Sequence, residues 1–194
     1  MQAYNKSELE NYFLAEEAKK LYQKKFLSKE QLQMIIAQLV QLKSNPNIFF
    51  RIGFFFLGSF LISTIISAFG LILFPLISEE YQIIFFFYTI VAYIGLEVLV
   101  RMKFFRHGLD DAFLLSAQFS FLIGIGILTE AVLPVLIAML VLGVFFAIRF
   151  INTISALLAF IGLVGIFFNL IVEHDVMPKF YLSFVGLILA ILVY

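Results

Sequence analysis

Long apolar runs, almost uninterrupted by acidic or basic side chains, occupy most of the chain after position 50. The first covers the 27 residues between Arg51 and Glu79, and five windows of 15 to 23 residues follow it. A helix rises about 1.5 Å per residue and a bilayer's hydrocarbon core is about 30 Å thick, so about 20 residues span it. Because the runs lack strand-like alternation and backbone polar groups in lipid need internal partners, the spans should be helices. We predict six of them, at about 50–74, 82–101, 112–128, 132–148, 153–172 and 180–194.

Three of these windows, the third, the fourth and the last, allow an alternative interpretation. Glu130 separates the third window from the fourth, and a single kinked helix over 112–148 would bury that carboxylate in hydrocarbon at a cost of several kcal/mol. We therefore favour two helices joined by a tight turn around 129–134. The last window reaches only about 23 Å at the helical rise and stops at Tyr194 without a polar flank. Either this helix ends in a thinned interface or the natural chain continues further, and we favour the second.

The first 47 residues differ from the rest because they are polar and amphipathic. Ser7 with Glu10 and Ser28 with Gln31 each fit a capping box, which marks the start of a helix. We predict that 1–47 forms a cytosolic amphipathic helical hairpin. A basic run in this segment could contact anionic lipid headgroups, but a solvated helix face explains it more simply. The helical-period apolar stripe of the second helix comprises Leu32, Ile35, Ile36, Leu39 and Leu42.

Composition and charge place the chain among membrane proteins and suggest its orientation. Hydrophobic residues make up 63% and charged residues 13% of the chain, with a mean hydropathy of +1.06, whereas a soluble domain is about 45–50% apolar and about 25% charged. The 13 basic residues equal the 13 acidic ones, so binding of nucleic acid through bulk positive charge is excluded. Twelve of the Lys and Arg residues fall on one side of the predicted spans. The positive-inside rule then places both termini in the cytoplasm.

Small residues recur every four positions inside three predicted spans. Lipid supplies no hydrophobic drive for helix association, so close backbone approach and interhelical hydrogen bonds must supply it. We predict that these stripes are helix-packing faces, with a hydroxyl-lined permeation path as the alternative. The stripes are Ser59, Ser63 and Ser67; Ala112, Ser116, Ser120 and Gly124; and Gly143 with Ala147.

Glu97 is the one carboxylate that falls clearly within a predicted span. It lies about one helical turn from the cytoplasmic end, and Arg101 follows at i+4 on the same face. We predict an interfacial ion pair between Glu97 and Arg101. The alternative is a coupling group for protons or cations, since ionisable residues inside a membrane are often functional. Asn169 is expected to form a structural hydrogen bond.

The predicted loops carry the remaining candidates for chemistry. Asp110 or Asp111 should satisfy free amides at the start of the third span. On the opposite side, the 173–175 segment could join Glu79, Glu80 and Glu130 in a weak cation site, but neighbouring residues of one short loop rarely all face one ion. With no Cys, no zinc-binding His-Glu-x-x-His helix and no phosphate-binding Gly-rich loop, we expect no catalytic, metal or cofactor site.

Three sequence segments resemble one group of proteins. They are Leu-Ser-Lys-Glu-Gln (27–31), Arg-Ile-Gly-Phe-Phe-Phe-Leu-Gly (51–58) and Gly-Leu-Asp-Asp-Ala-Phe-Leu-Leu (108–115). Together they resemble uncharacterised bacterial polytopic membrane proteins that carry an N-terminal cytosolic helical hairpin. The resemblance covers about residues 10–130. It implies an inner (plasma) membrane location but no established activity, so no functional residue is transferred from it.

We therefore expect an all-α polytopic membrane protein, a helical bundle of about six spans with an N-terminal hairpin. The leading functional hypothesis is a non-catalytic scaffold, accessory subunit or sensor that acts through helix packing and the hairpin. The alternative is a transporter or channel for small solutes or ions that uses Glu97. A membrane enzyme ranks third. The expected partners are the lipid bilayer and either a second copy of the chain or another membrane protein, but not nucleic acid.

Overall fold

A computed structural model describes residues 3–39, 42–44, 47–73 and 81–172. In these residues the regular secondary structure is entirely α-helical, apart from one isolated β-bridge between Lys43 and Phe104. The predicted all-α class is thereby confirmed. The helices are α1 (Lys6–Gln23), α2 (Lys29–Gln38), α3 (Ile48–Leu73), α4 (Tyr81–Arg101), α5 (Leu109–Thr129), α6 (Val132–Phe150) and α7 (Thr153–Val172).

Helices α3 to α7 are each long and apolar enough to cross a membrane. The stretches that qualify match the first five predicted spans. Many large apolar side chains on these helices face outward, as Phe60 and Val141 do. Outward apolar side chains need no protein partner in hydrocarbon. The sixth predicted span, 180–194, lies outside the described residues. The qualifying stretches are Ile48–Leu71, Gln82–Arg101, Leu109–Thr129, Val132–Phe150 and Thr153–Ile171.

The junction between α5 and α6 is a tight turn, as the sequence predicted. Glu130 is exposed and adopts a left-handed conformation with φ 49°, and its N–H donates to the carbonyl oxygen of Gly126 at 3.0 Å. This closes the last turn of α5. Two separate helices therefore replace the kinked-helix alternative, and the Glu130 carboxylate avoids the bundle interior.

The two predicted helix starts near the N-terminus have different outcomes. Ser28 caps α2 in a complete capping box with Gln31, as predicted. The prediction for Ser7 was wrong, because Asn5 caps α1 and its Oδ1 accepts the Ser7 N–H at 3.1 Å. Asn is as strong a cap as Ser, so the earlier residue takes the role and Ser7 lies inside the helix.

Helix α5 is the centre of the bundle and packs against α3, α4 and α6, while α6 packs in turn against α7. Its neighbours contribute fully buried side chains to the core, including Ile62 of α3 and Ala92 of α4. Gly143 of α6 lies so close to α7 that a Cβ there would come within 2.6 Å of the Ala159 nitrogen. A larger side chain at position 143 would therefore separate these two helices.

Candidate functional site

Five helix ends converge at one end of the bundle, which we call the basic end. The N-terminal ends of α3, α5 and α7 meet there with the C-terminal ends of α4 and α6. Ion pairs and a side-chain hydrogen bond connect these ends. The loop between α4 and α5 and the short α6–α7 connection also lie there. The polar side chains that the sequence distributes among five apolar helices are thus brought together.

Asp111 joins three helices at the basic end. Its Oδ2 accepts hydrogen bonds from Nε and a terminal guanidinium nitrogen of Arg51, at 2.9 and 2.6 Å, and its Oδ1 accepts one from Asn152 Nδ2 at 2.9 Å. The Asp111 side chain is 8% exposed and that of Arg51 is 31% exposed. Charge-assisted bonds of this kind are about twice as strong as neutral ones. One carboxylate therefore holds the first turn of α3 and the start of α7 onto α5.

Asp110 organises the loop that precedes α5. Its Oδ1 accepts the backbone N–H groups of His107 and Gly108, both at 2.9 Å, so it serves the loop amides rather than those of the first helical turn. Gly108 has φ 105°, and a Cβ at this position would overlap the Arg51 carbonyl oxygen. Only glycine combines this conformation with so close an approach.

His107 belongs to this loop, and its ring packs against two phenylalanine rings. Its ring centroid is 4.3 Å from that of Phe54 and 4.8 Å from that of Phe104. Burial lowers its pKa below the usual value, against the opposing effect of the Asp110 carboxylate. The neutral form of the imidazole is therefore favoured, and its buried Nδ1 has no hydrogen-bond partner among the described residues.

Glu97 forms an ion pair, but with an arginine other than the predicted one. Its Oε1 accepts from Arg149 Nε at 3.0 Å and from the Tyr93 hydroxyl at 2.9 Å. Arg101 is exposed and has no ion-pair partner in the part of the chain that the structure describes. Glu97 thus links α4 to α6 instead of stabilising its own helix. The sequence signal at i+4 could not identify a partner 52 positions away.

A second interhelical polar contact lies deeper and was not anticipated. Ser155 Oγ of α7 donates to Gln118 Oε1 of α5 at 3.2 Å, and both residues are almost completely buried. Gln118 Nε2 has no hydrogen-bond partner among the described residues. A Gln in an otherwise apolar window is the signal that could have indicated this contact. Asn169, predicted to have a structural role, is buried near the other end of α7.

The segment before α1 docks directly on the basic end. The Ala3 N–H donates to the Arg149 carbonyl oxygen at 2.8 Å, and the Tyr4 hydroxyl donates to the Phe104 carbonyl oxygen at 2.9 Å. Glu8 of α1 forms an ion pair of 2.7 Å with Lys103. Burial raises the pKa of Tyr4 above its usual value, with a smaller contribution from nearby carboxylates. The phenol is therefore a stable hydrogen-bond donor.

Aromatic and backbone contacts complete this docking. The Phe105 ring packs edge-on against Tyr4 and Tyr12, with centroids 5.0 and 5.1 Å apart. Lys43, from the segment between α2 and α3, exchanges backbone hydrogen bonds with the same loop, donating to Lys103 and accepting from Phe105. The α4–α5 loop is therefore held between the bundle and the N-terminal segment.

A cavity of about 490 Å³ opens between the first turns of α3, α5 and α7. Both Asp110 and Asp111 line it, together with Arg51, Arg106 and Asn152. Tyr4 and Thr153 also line it, and the remaining lining residues are apolar. Its apolar lining includes Ile48, Ile52, Phe55, Leu96, Leu114, Leu115, Phe150, Ile151 and Ile154.

The small-residue stripes occupy different environments. On α5, Ala112, Ser120 and Gly124 are buried and Ser116 is half-buried, while Gly143 and Ala147 of α6 are buried and half-buried. On α3, Ser59 is half-buried and Ser63 and Ser67 are exposed. The face of α3 that contacts the bundle runs through Gly58 and Ile62 instead, one residue away from the predicted stripe.

Among the described residues, no three His, Cys, Asp or Glu side chains are placed to hold a metal ion. Most of the weak cation cluster considered from the sequence, including Glu79 and the 173–175 segment, lies outside those residues. The chain matches no known family model, and comparisons with curated proteins and with solved structures found no significant match.

Proposed function

We propose that the chain is a non-catalytic inner-membrane protein, a scaffold, accessory subunit or sensor, with six spans and both termini in the cytoplasm. The observation that carries this proposal is the docking of the N-terminal segment on the basic end. Tyr4, Glu8 and Lys43 attach it to the α4–α5 loop, and Ala3 attaches it to the end of α6. A partner bound to α1 or α2 would therefore be coupled mechanically to the bundle.

Helix α2 is the part of this segment that best suits a partner. None of its residues is buried, and Met34 is 61% exposed, although α2 contacts α1. Leu32 and Ile35 of its apolar stripe are half-buried, whereas Leu42, which follows the helix, is buried. An amphipathic helix with an incompletely covered stripe is a common binding element for another protein. The expected occupant is a second copy of the chain or another membrane protein.

Site-directed photo-crosslinking tests the scaffold hypothesis. A photoreactive residue at position 34 should give a discrete adduct in intact membranes, whose mass identifies a second copy or a different protein. The matched control is the same residue at position 20, because Lys20 is exposed on the neighbouring helix. Equal adduct patterns at the two positions, or none at either, would contradict partner binding through α2.

Protease accessibility tests the orientation separately. All basic residues of α3 to α7 that the structure describes lie at or near the end on which α1 docks, which supports a cytoplasmic location for that end. Protease added to sealed, right-side-out cells should therefore leave the region around Lys24 intact. Cleavage there in sealed cells would reverse the proposed orientation.

The second candidate is a transporter or channel for small solutes or ions that uses Glu97. The observation in its favour is a half-buried carboxylate inside α4, in contact with the Tyr93 hydroxyl. The Arg149 guanidinium opposes it, because its hydrogen bonds already occupy Oε1 of this carboxylate. Flux into liposomes that Glu97→Gln abolishes without changing assembly would favour transport. A wild-type protein without flux would leave the scaffold hypothesis standing.

A further inference from the structure

The tip of the α1–α2 hairpin, residues 19–29, carries a concentrated positive charge. It contains five lysines and no acidic residue. All five lysines are exposed, and none forms an ion pair with a residue that the structure describes. Glu16, Glu17 and Glu30, which flank the tip in the sequence, therefore leave its charge unpaired. The lysines are Lys19, Lys20, Lys24, Lys25 and Lys29.

An aromatic ring is exposed among these lysines. The Lys25 N–H donates to the Tyr22 carbonyl oxygen at 2.9 Å, and the Phe26 N–H donates to that of Leu21 at 3.0 Å. These are the two hydrogen bonds of a Schellman motif, in which glycine usually takes the left-handed position that Lys25 occupies with φ 63°. The apolar side chain that follows commonly packs back on the helix, yet Phe26 is 75% exposed. The tip therefore presents an uncovered ring beside a lysine in a strained conformation.

Helix α1 lies against the basic end over most of its length. Tyr12 packs on Phe105 of the α4–α5 loop, and about two helical turns later Lys19 lines a small cavity together with Ser44. Helix α3 begins at Ile48, which also opens a candidate membrane span. The four residues from Ser44 to Ile48 extend at most about 14 Å. Because the tip starts at Lys19, it lies near the point where α3 would enter the membrane.

We infer that the hairpin tip binds the anionic headgroups of the membrane in which the bundle lies, with Phe26 inserted among them. Charge complementarity selects this partner, because a cluster of lysines beside a membrane span attracts anionic lipids. An apolar ring flanked by lysines is also typical of segments that lie at a membrane interface. A solvated helix face would explain the lysines, but it would not explain the exposed ring of Phe26. The inference concerns a different surface from that of α2, so it does not depend on the scaffold function.

Tryptophan fluorescence of the full-length protein tests the inference. The chain contains no tryptophan, so Phe26→Trp places a single reporter at the tip. The variant is reconstituted into vesicles of phosphatidylcholine, with or without an equal share of phosphatidylglycerol. Phosphatidylglycerol should shift the emission to shorter wavelength and allow acyl-brominated lipid to quench it. Met34→Trp is the matched control, because Met34 is 61% exposed but lies outside the tip, and its emission should not respond to phosphatidylglycerol.

Lysine substitutions in the Phe26→Trp protein test the role of charge. Each lysine near an anionic surface contributes a factor of about five to the ratio of bound to free tip, so Lys24→Gln with Lys25→Gln should lower this ratio about 25-fold. Lys25→Gly should lower it about fivefold without loss of helix by circular dichroism, because glycine suits the left-handed position. Lys6→Gln is the matched control, since this side chain is 85% exposed near the other end of α1 and already pairs with Glu10. It should change the ratio by less than about twofold.

Three results would overturn the inference. Equal quenching at positions 26 and 34 would show that the tip has no special contact with lipid. Quenching that is the same with and without phosphatidylglycerol, or the same in the Lys24 and Lys25 variants as in the Lys6 variant, would exclude recognition of anionic headgroups. Absence of quenching in both kinds of vesicle would exclude lipid as the partner and would favour an acidic protein surface for these lysines.

Discussion

The ion pair between Arg51 and Asp111 offers the sharpest test of how the basic end is held together. Asp111→Asn removes the carboxylate, so the guanidinium of Arg51 stays at the junction of the helix ends without its anionic partner. Breaking a fully buried pair costs about 3–5 kcal/mol. The Arg51 side chain is 31% exposed, against 8% for Asp111, so water would recover part of that loss. We expect the free energy of unfolding to fall by about 1–3 kcal/mol.

A double-mutant cycle separates the pair from its surroundings. The single variants Arg51→Gln and Asp111→Asn and their combination are unfolded in bicelles, and the coupling energy is calculated from the three free-energy changes. We expect about 1–2 kcal/mol, within the range for groups in direct contact. The control is the pair Lys6 and Glu10 on α1, 3.8 Å apart with side chains 85% and 62% exposed.

The comparison between the two cycles decides the outcome. The exposed pair should show a coupling below about 0.5 kcal/mol, the usual value for an i,i+4 pair in water. If the pair at the basic end couples no more strongly than this, then Asp111 does not hold α3 to α5. The account of the basic end as a junction of helix termini would then be wrong.

Three further predictions concern single positions. Gly108→Ala should lower the free energy of unfolding by at least about 2 kcal/mol, because its φ is 105° and the new Cβ overlaps a carbonyl oxygen; an unchanged melting temperature would contradict this. Gly143→Leu should separate α6 from α7 and lower the melting temperature sharply, whereas Ser67→Leu on the exposed face of α3 should leave it nearly unchanged. Tyr4→Phe should increase proteolysis of α1, since it removes the hydrogen bond to Phe104. In the wild type, burial raises the pKa of this phenol, so docking should be strong below about pH 10 and weaken as the pH rises further. Tyr4→Phe should reduce that pH dependence of α1 proteolysis.

The membrane helices were predictable because the physical constraint on them is local. A window of about 20 apolar residues must be helical in lipid whatever it packs against. The turn at Glu130 followed for the same reason, since one carboxylate in a long apolar run is costly. These conclusions depend on the composition of short segments, which the sequence states directly.

The partners of the polar side chains were not predictable in this way. Glu97 had a plausible partner four residues away, but Arg149 reaches it from another helix. On α3, small residues marked the right kind of face, yet the contact runs through Gly58 and Ile62, about 100° around the helix from Ser59 at 3.6 residues per turn. The rotation of each helix about its axis and the pairing of side chains between helices depend on how all the spans pack together. The spacing of residues along one helix does not determine that packing.

The attachment of the N-terminal segment has a consequence for biosynthesis. Tyr4 emerges from the ribosome early, but its acceptor at Phe104 is made 100 residues later, and the acceptor for Ala3, at Arg149, later still. During translation the docking of this segment can therefore be completed only after α4, α5 and α6 have been made. Its docking is a late event that takes place only on a correctly assembled bundle, so a chaperone or quality-control protease could recognise unfinished molecules by their loose N-terminus.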